Sequence, residues 1–312
     1  MGTVIANALQ TRLDEVFKIG FEYANLPQVA TAENAVFFMQ GEASGSAVVT
    51  EQFAGPGQWN EHSVSQEIED AEISTANLIT HNVVNFKRRI LIPIEDLEDD
   101  NKHGVIEEAV QQLGQRGRIA RDRQSLLIYG RGFGTTTTND GGNLYANAHN
   151  AISGDTIDTL ETGALTPANL EVMVRSLTEQ RAQDGELGSH QPAGLLVPPI
   201  LFPDATEITA SALQANTANN NLNYFSNIYP GMMVAQNPLI GAAYNTTNAN
   251  ANTSFYLCGF LHGIKRWVRK SLFTKFVPED TDSQDRAQYK ARFREVTAAV
   301  SWEGHVGSNG TT

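Results

Sequence analysis

A long stretch near the N-terminus carries acidic residues but no basic ones, and this feature constrains the fold more than any other. Between Gly20 and Phe86 there is no lysine or arginine. Like charges over such a length repel one another, and they are usually solvated. Alternatively, the acids could meet basic surfaces of other subunits. The acidic residues of the stretch are Glu22, Glu33, Glu42, Glu51, Glu61, Glu67, Glu69, Asp70 and Glu72.

Basic residues are concentrated later in the chain. With 22 Lys+Arg against 35 Asp+Glu, the formal net charge is −13, which excludes a generally basic nucleic-acid clamp. A monomer gains little from segregated charges, whereas a repeating assembly gains register from complementary patches. The basic groups are Lys87, Arg88 and Arg89, then Arg116, Arg118, Arg121, Arg123 and Arg131, then Lys265, Arg266, Arg269, Lys270 and Lys275.

The composition fits a folded, loop-rich globular protein. Of 312 residues, 41% are apolar and 26 are glycine, so we expect a core in two domains or in one elaborate domain. Cys258 is the single cysteine, which excludes an intramolecular disulfide and suits a reducing cytoplasm. No apolar run approaches the roughly 20 residues that span a bilayer, and the N-terminal sequence lacks the features of a secretory signal.

The first 94 residues are predicted to form an arm followed by a hairpin. Residues 1–54 form the arm, which begins with an amphipathic helix. Residues 55–94 open with a glycine–proline turn and end in strand-like alternation from Val84 to Ile94. An isolated two-stranded hairpin is marginal in water, so we expect this front segment to lie over adjacent copies. The apolar stripe of the helix is Leu9, Leu13, Val16, Phe17 and Phe21.

A long helix is predicted from His103 to about Tyr129. At 1.5 Å per residue it would be about 40 Å long. Because Gly104, Gly114 and Gly117 each disfavour a helix interior by about 1 kcal/mol, we expect another backbone to pack closely against them. The residues that recur at steps of three and four are Ile106, Val110, Leu113, Gly117, Ala120, Gln124 and Leu127.

The second half of the chain shows a mixed α and β pattern. Thr166-Pro167 is predicted to start a helix, and Leu195–Val197 a short buried strand. Near the C-terminus, the apolar alternation that starts at Tyr289 slips by one residue, which predicts a bulge or a bend near Glu295 in a long strand.

Candidate chemistry is sparse. The glycine run at 130–134 lacks nucleotide-loop spacing and favours a helix stop. The seven histidines are never within four residues of one another, so there is no zinc signature, and no G-x-S-x-G or cysteine-centred motif occurs. We therefore predict no catalytic, cofactor-binding or metal site and no enzymatic activity, with dispersed catalytic residues such as His149 left as an alternative.

Several short motifs follow one another between about residues 55 and 305. They are Ile92-Pro93-Ile94-Glu95-Asp96-Leu97-Glu98-Asp99-Asp100, Gly104-Val105, Leu127 to Phe133, Asp140-Gly141-Gly142-Asn143-Leu144-Tyr145 with His149, Leu195-Leu196-Val197-Pro198-Pro199, and Phe255-Tyr256-Leu257 before Trp267. In this order they resemble the tailed-bacteriophage major capsid protein, particularly the Mu-type major head subunit.

The resemblance implies an α+β, Hong Kong 97-like capsid fold. It divides the chain into an N-terminal arm (1–54), an E-loop hairpin (55–94), a P-domain with a long spine helix (95–150), an A-domain (151–270), and C-terminal P-domain strands and tail (271–312). Such subunits assemble as pentamers and hexamers into an icosahedral head that encloses double-stranded DNA. The implied location is the virion capsid, after assembly in the host bacterial cytoplasm, without a membrane. Implied partners are cement, portal and scaffolding proteins, and the packaged DNA through weak contacts.

Charge segregation then suggests intersubunit contacts between the acidic front segment and a neighbour's spine helix. Each exposed ion pair contributes at most about 1 kcal/mol, but repeated pairs add up and remain sensitive to salt. The acidic candidates are Glu61, Glu67, Glu69, Asp70 and Glu72, and the basic candidates are Arg116, Arg118, Arg121 and Arg123.

Two alternatives to this interpretation stay open. An encapsulin-like compartment would share the fold but enclose a cargo enzyme, and an α/β hydrolase-type enzyme is a weaker alternative.

Some members of the fold lock the shell with an isopeptide bond between an E-loop lysine and a neighbour's asparagine. Residues 55–86 contain no lysine, so we expect a non-covalent shell, stabilised by buried apolar contacts or by a cement protein.

Overall fold

The computed structural model describes residues 2–22, 29–55, 70, 73–93, 95, 103–213, 222–277 and 286–311. Within them the fold is α+β, as predicted, with a four-stranded sheet, a five-stranded sheet and two two-stranded ribbons. No helix in the described part of the chain is both long and apolar enough to cross a membrane. The helices are α1 (Gly2–Glu22), α2 (His103–Gly130), α3 (Pro167–Thr178), α4 (Phe202–Ala210) and α5 (Tyr224–Ile228), with short 3-10 helices at Pro199–Leu201 and Pro238–Ile240. The strands are β1 (Met39–Glu42), β2 (Ala47–Ala54), β3 (Ser74–Asn82), β4 (Val84–Pro93), β5 (His149–Asn150), β6 (Thr156–Ile157), β7 (Leu160–Glu161), β8 (Pro192–Val197), β9 (Met233–Gln236), β10 (Phe255–Gly259), β11 (Ile264–Val277), β12 (Arg286–Ala299) and β13 (His305–Ser308).

The four-stranded sheet has the order β1-β11-β12-β4 and is covered on one face by α1 and α2. Side chains alternate along β12, so Tyr289 and Phe293 are buried while Lys290 and Arg292 are exposed. Phe86 of β4 stacks on Phe293, with ring centroids 4.8 Å apart. The strand periodicities predicted for both segments are therefore confirmed, and one face of this sheet forms a core with the two helices.

The two long helices cross at glycines. A Cβ atom on Gly114 of α2 would lie 2.4 Å from the carbonyl oxygen of Phe17, and a Cβ on Gly20 of α1 would lie 2.2 Å from the carbonyl oxygen of Gln111. Only glycine permits such a close approach of two backbones. The predicted close packing is therefore confirmed at Gly114, whereas Gly104 faces open space, and there the prediction is wrong.

The interpretation of residues 1–54 as an arm that relies on adjacent copies is wrong for most of its length. Leu13 and Phe17 of α1 are buried against α2 and the four-stranded sheet of their own chain. Phe37 and Phe38 are completely buried in the central core, and β1 pairs in parallel with β11. The apolar residues of this segment therefore find partners far along the same chain, which local periodicity does not reveal.

The predicted hairpin boundaries also differ from the structure. The antiparallel ribbon is formed by β2 and β3, so it begins before residue 55. The alternating segment β4 pairs with β12 of the four-stranded sheet instead of with a hairpin partner. Its buried residues, such as Ile92, explain the difference because they complete the core formed with α1 and α2.

The five-stranded sheet has the order β7-β13-β10-β8-β9. Helices α3 and α4 pack on one of its faces through residues such as Leu170 and Ala205. The Thr166 hydroxyl accepts a hydrogen bond from the Asn169 N–H at 3.2 Å, which confirms the predicted helix start. The final strand β13 pairs with β10, so the chain end returns to this sheet and does not belong to the other one as predicted for residues 271–312.

The predicted irregularity near Glu295 is confirmed. The pairing of β11 with β12 shifts register between Val268 and Lys270, opposite Glu295 and Arg294. The extra residue, Arg269, lies on β11, so the bulge belongs to the partner strand.

Candidate intersubunit surfaces

The inner face of the β2–β3 ribbon is anchored to the body of its own chain. Gln52 donates hydrogen bonds to the Gln183 side-chain oxygen at 2.8 Å and to the Asn150 carbonyl oxygen at 3.1 Å. Thr50 contacts His81 at 2.9 Å, and the His81 ring stacks on Trp267 with centroids 6.0 Å apart. These contacts fix the base of the ribbon to β5, to the loop that carries Gln183 and, through Trp267, to β11 of the four-stranded sheet.

A bulge in β3 completes this anchor. The register shifts opposite Glu51 and Gln52, which leaves Asn77 without a partner residue on β2. Asn77 has a φ of 34°, a left-handed conformation that asparagine tolerates better than most residues. Its side-chain amide donates to the Gln52 side-chain oxygen at 3.0 Å. The bulge therefore orients the Gln52 amide toward its other two acceptors.

The outer face of the ribbon exposes apolar side chains. Val49, Phe53 and Leu78 are each more than half exposed, and Ile73, which directly precedes β3, is 68% exposed. Exposed apolar groups clustered on one element indicate an interaction surface, and a lone ribbon gains stability when such a face is covered. This face is the strongest candidate in the described residues for contact with another copy.

Most of the predicted acidic contact residues lie outside the described part of the chain. Glu61, Glu67, Glu69 and Glu72 are among them, so their role stays a prediction. Asp70 is described and exposed, and Glu51 on the outer ribbon face is also exposed.

The predicted basic contact residues of α2 separate into two groups. Arg118 and Arg121 are buried, and they interact with Asp122 and Glu33 of their own chain at 3.4 and 2.5 Å. Their assignment to an intersubunit surface is therefore contradicted, because carboxylates of the same chain hold them. Arg116 and Arg123 are exposed, and their contact with a neighbour stays a prediction.

Asp122 joins α2 to the N-terminal segment. Its carboxylate accepts a hydrogen bond from the Ala32 N–H at 2.9 Å. Burial raises the pKa of Asp122, although the Ala32 amide and the arginines Arg121 and Arg118 oppose this. The buried arginines therefore serve to neutralise a carboxylate that fixes residues around Ala32 to the helix.

A further basic surface lies on the outer face of the four-stranded sheet, and it is not among the contact residues predicted from the sequence. Lys87 and Arg89 project from β4, and Lys290 and Arg292 project from the neighbouring β12. Alternation of cations with apolar residues in both strands was the available signal. This alternation does not reveal that β4 and β12 are adjacent in the sheet.

The His149 region resembles a hydrolase triad in its hydrogen bonds but not in its accessibility. His149 Nδ1 lies 2.8 Å from an Asp140 carboxylate oxygen, and Nε2 lies 3.0 Å from the Thr159 hydroxyl. His149 and Thr159 are fully buried, and the Thr159 hydroxyl donates to the Leu144 carbonyl oxygen. Burial opposes ionisation of Asp140, but hydrogen bonds from His149 and Thr138 outweigh it, so the pKa of Asp140 is lowered. This arrangement holds loops together and offers no accessible nucleophile.

Comparison with known proteins places these features in a family. The family model described as phage capsid protein matches residues 79–306. A comparison with curated protein sequences gives no match. A capsid protein has a structural role, and this family match therefore agrees with the expectation that the chain is not an enzyme.

Solved structures show the same fold at low sequence identity. A virus-like particle from Pyrococcus furiosus matches with a TM-score of 0.54 and 10% identity, covering 96% of this chain and 98% of that chain. The mature capsid of bacteriophage PhiM1 matches with a TM-score of 0.53 and 12% identity, covering 92% and 87%. An encapsulin complex from Synechococcus elongatus matches with a TM-score of 0.51 and 12% identity, covering 92% and 90%. The narrower resemblance to Mu-type head subunits stays a prediction.

These matches confirm the Hong Kong 97-like capsid fold. A ribbon that is anchored at its base and apolar on its outer face suits a subunit that contacts other copies. Since the family model matches most of its length, this chain belongs to the phage capsid protein family and is a structural capsid protein.

Proposed function

We propose that this protein is the major head subunit of a tailed bacteriophage and that it assembles as pentamers and hexamers into an icosahedral shell around double-stranded DNA. The observation that carries the proposal is the family match over residues 79–306, joined to the exposed apolar face of the β2–β3 ribbon. Assembly in the host bacterial cytoplasm, and contacts with portal, scaffolding or cement proteins, are parts of the same proposal.

The net charge of the chain supports a container for DNA. A formal charge of −13 disfavours tight binding of phosphate. Packaged DNA could therefore move along the wall during filling and release instead of adhering to it. The exposed Arg116 and Arg123 would then contact acidic residues of a neighbouring subunit.

An encapsulin-like shell is the second candidate, because an encapsulin shares the fold over nine-tenths of this chain. Expression of the protein in bacteria, followed by size-exclusion chromatography and negative-stain microscopy, tests both. We expect capsomers or megadalton particles, and a small oligomer of about 34.0 kDa subunits would contradict a shell protein. In particles from infected cells, DNA supports a phage head, whereas an enclosed enzyme supports an encapsulin.

Intact heads are expected to dissociate into single chains in denaturing gel electrophoresis. Residues 55–86 contain no lysine, so the hairpin cannot supply the amine of an isopeptide bond, and Lys87 lies in β4 beyond it. We expect one band near 34.0 kDa after boiling in SDS. A ladder of covalent multimers would show that another lysine forms the cross-link.

A further inference from the structure

A cleft opens between the helical layer and the four-stranded sheet. It has a volume of about 200 Å³ and is lined by residues of α1, α2, β4, β11 and β12. Four phenyl rings form most of its wall and also pack on one another. The ring centroids of Phe86 and Phe293 are 4.8 Å apart, and those of Phe17 and Phe21 are 5.9 Å apart. The interior of the cleft is therefore apolar.

Gly117 of α2 lines this cleft, and the packing around it does not require a glycine. A Cβ atom on Gly117 would lie 3.5 Å from the Phe21 ring, which is an ordinary van der Waals contact. The close backbone packing predicted from the sequence therefore occurs at Gly114 and not at Gly117. Because glycine disfavours a helix interior relative to alanine, Gly117 lowers stability without permitting a backbone contact. Its missing side chain leaves the cleft open.

Two arginines lie at the mouth of the cleft. Arg88 of β4 and Arg116 of α2 both line it, and both are exposed, so the cleft reaches the surface there. Arg88 lies between Phe86 and Ile90, which pack in the core under the helices, and alternate strand residues share a face. Its side chain therefore leaves the sheet on the side of the cleft. We call this site the arginine cleft: Phe17, Phe21, Phe86, Phe293, Arg88 and Arg116.

The arginine cleft has no anion of its own in the part of the chain that the structure describes. None of its described lining residues is acidic. Within the same residues, no carboxylate lies within ion-pair distance of Arg88 or Arg116. An anion at the mouth would therefore meet two guanidinium groups without competition from a carboxylate of the described chain.

We infer that the arginine cleft binds a small aromatic carboxylate. The ring enters between the phenyl side chains, and the carboxylate stays at the mouth, where Arg88 and Arg116 can donate hydrogen bonds to it. An apolar cavity of about 150 Å³ in another protein stays dry and binds benzene, so about 200 Å³ accommodates a phenyl ring with a short linker. Edge-to-face and offset contacts between aromatic rings favour such a guest.

Water and a side chain of another subunit are the competing occupants. Water finds few hydrogen-bonding partners among phenyl rings, so it gains little from entering the cleft. A carboxylate of a neighbouring subunit, as proposed above for Arg116, would occupy the mouth but would leave the apolar interior unfilled. A single small molecule that combines a ring with a carboxylate satisfies both parts of the site.

Ligand-observed NMR of the unassembled full-length chain with 3-phenylpropionate tests the inference. We expect saturable binding at pH 7 that weakens as salt is added, because the exposed arginines attract the carboxylate. The uncharged 3-phenyl-1-propanol has the same ring and linker, and we expect it to bind at least fivefold more weakly. The measurement does not depend on particle formation, so it stands apart from the proposed function.

Two variants separate the apolar part of the site from its charge. Gly117→Leu fills the cleft from α2 and should weaken the binding of both compounds at least tenfold. Replacing Arg88 and Arg116 by glutamine should weaken the binding of 3-phenylpropionate at least tenfold and leave that of the alcohol within about twofold. The matched control is Arg89→Gln, whose side chain leaves β4 on the opposite face of the sheet. It should leave both affinities within about twofold.

Three results would overturn the inference. One is the absence of saturable 3-phenylpropionate binding to the wild-type chain up to about 10 mM. Another is unchanged binding in a Gly117→Leu variant that is folded by circular dichroism. The third is an equal loss in Arg89→Gln and in the double arginine variant, which would assign the effect to overall charge. If Gly117→Leu does not fold, Gly117→Ala decides instead, and it should weaken the binding of both compounds about threefold because its methyl group occupies part of the cleft.

Discussion

Replacing Glu295 by alanine is expected to destabilise the folded subunit by about 3–5 kcal/mol, because it leaves a buried guanidinium without its carboxylate. Glu295 and Arg266 are almost completely buried, and the Arg266 Nε donates to a Glu295 carboxylate oxygen at 3.1 Å. Arg266 also donates to the Gln40 side-chain oxygen at 2.8 Å. The pair therefore ties β12 to β11 and to the segment that carries β1. Urea denaturation at pH 7, followed by tryptophan fluorescence, measures the loss.

The matched control replaces both partners, with Arg266→Met and Glu295→Leu in one chain. Apolar side chains of similar volume remove the buried charges together, so we expect a change near zero or a slight stabilisation. A single Glu295→Ala variant that loses less than about 1 kcal/mol would show that Arg266 is neutralised by other groups.

Acidification is expected to weaken the subunit through three buried histidines. His190, His262 and His305 lie close together, and the rings of His262 and His305 have centroids 4.8 Å apart. Burial lowers the pKa of His262 to about 4, although the Val36 carbonyl opposes this. Burial also lowers the pKa of His305, which is fully enclosed, and that of His190.

The hydrogen bonds of His262 explain why its charged form is excluded. Its Nε2 lies 3.1 Å from the Val36 carbonyl oxygen, and its Nδ1 accepts the Ile264 N–H at 3.3 Å. A second proton, on Nδ1, would face the Ile264 N–H, so donor would meet donor. Nearby Lys265 and His190 also disfavour the positive charge.

Because the folded-state pKa of His262 is lowered, its contribution to stability is complete above the unfolded value near 6.5 and is lost as pH falls toward about 4. The loss from His262 alone is about 3 kcal/mol over that window. Burial raises the pKa of Asp122, Glu295 and Glu303, and their protonation favours the folded state in acid. Urea midpoints between pH 7 and pH 4 measure the sum.

A His262→Gln variant isolates the histidine contribution. Its side-chain amide can still donate toward the Val36 carbonyl, but it cannot take up a proton in this range. We expect a shallower decrease of stability with pH than in the wild-type chain. An unchanged slope would contradict a role for His262 and would assign the acid sensitivity to other groups.

In α2, the spacing of the arginines along the helix is more informative than their charge alone. Arg121 and Asp122 lie three and four residues after Arg118, so all three share one face of the helix. Arg116 and Arg123 are seven residues apart and lie on a different face. Helical spacing could therefore have separated the paired arginines from the exposed ones, although it could not identify Glu33 as a partner.

The sequence alone determined the elements with strong periodicity: α2 from His103, the alternating strands β4 and β12, and the irregularity near Glu295. It also determined the segregation of charge. Periodicity and capping act over a few residues, so these features need no knowledge of distant neighbours.

Only the tertiary structure decided where those elements meet. It buried α1 against α2 at Gly20 and Gly114, returned β13 to the five-stranded sheet, and aligned β4 with β12 so that their exposed lysines and arginines lie side by side. These contacts join residues that are about fifty to two hundred positions apart in the sequence. Which elements pack together depends on the shape and burial of the whole core. Each apolar face could pack against several partners, but only one packed arrangement buries all of the faces together.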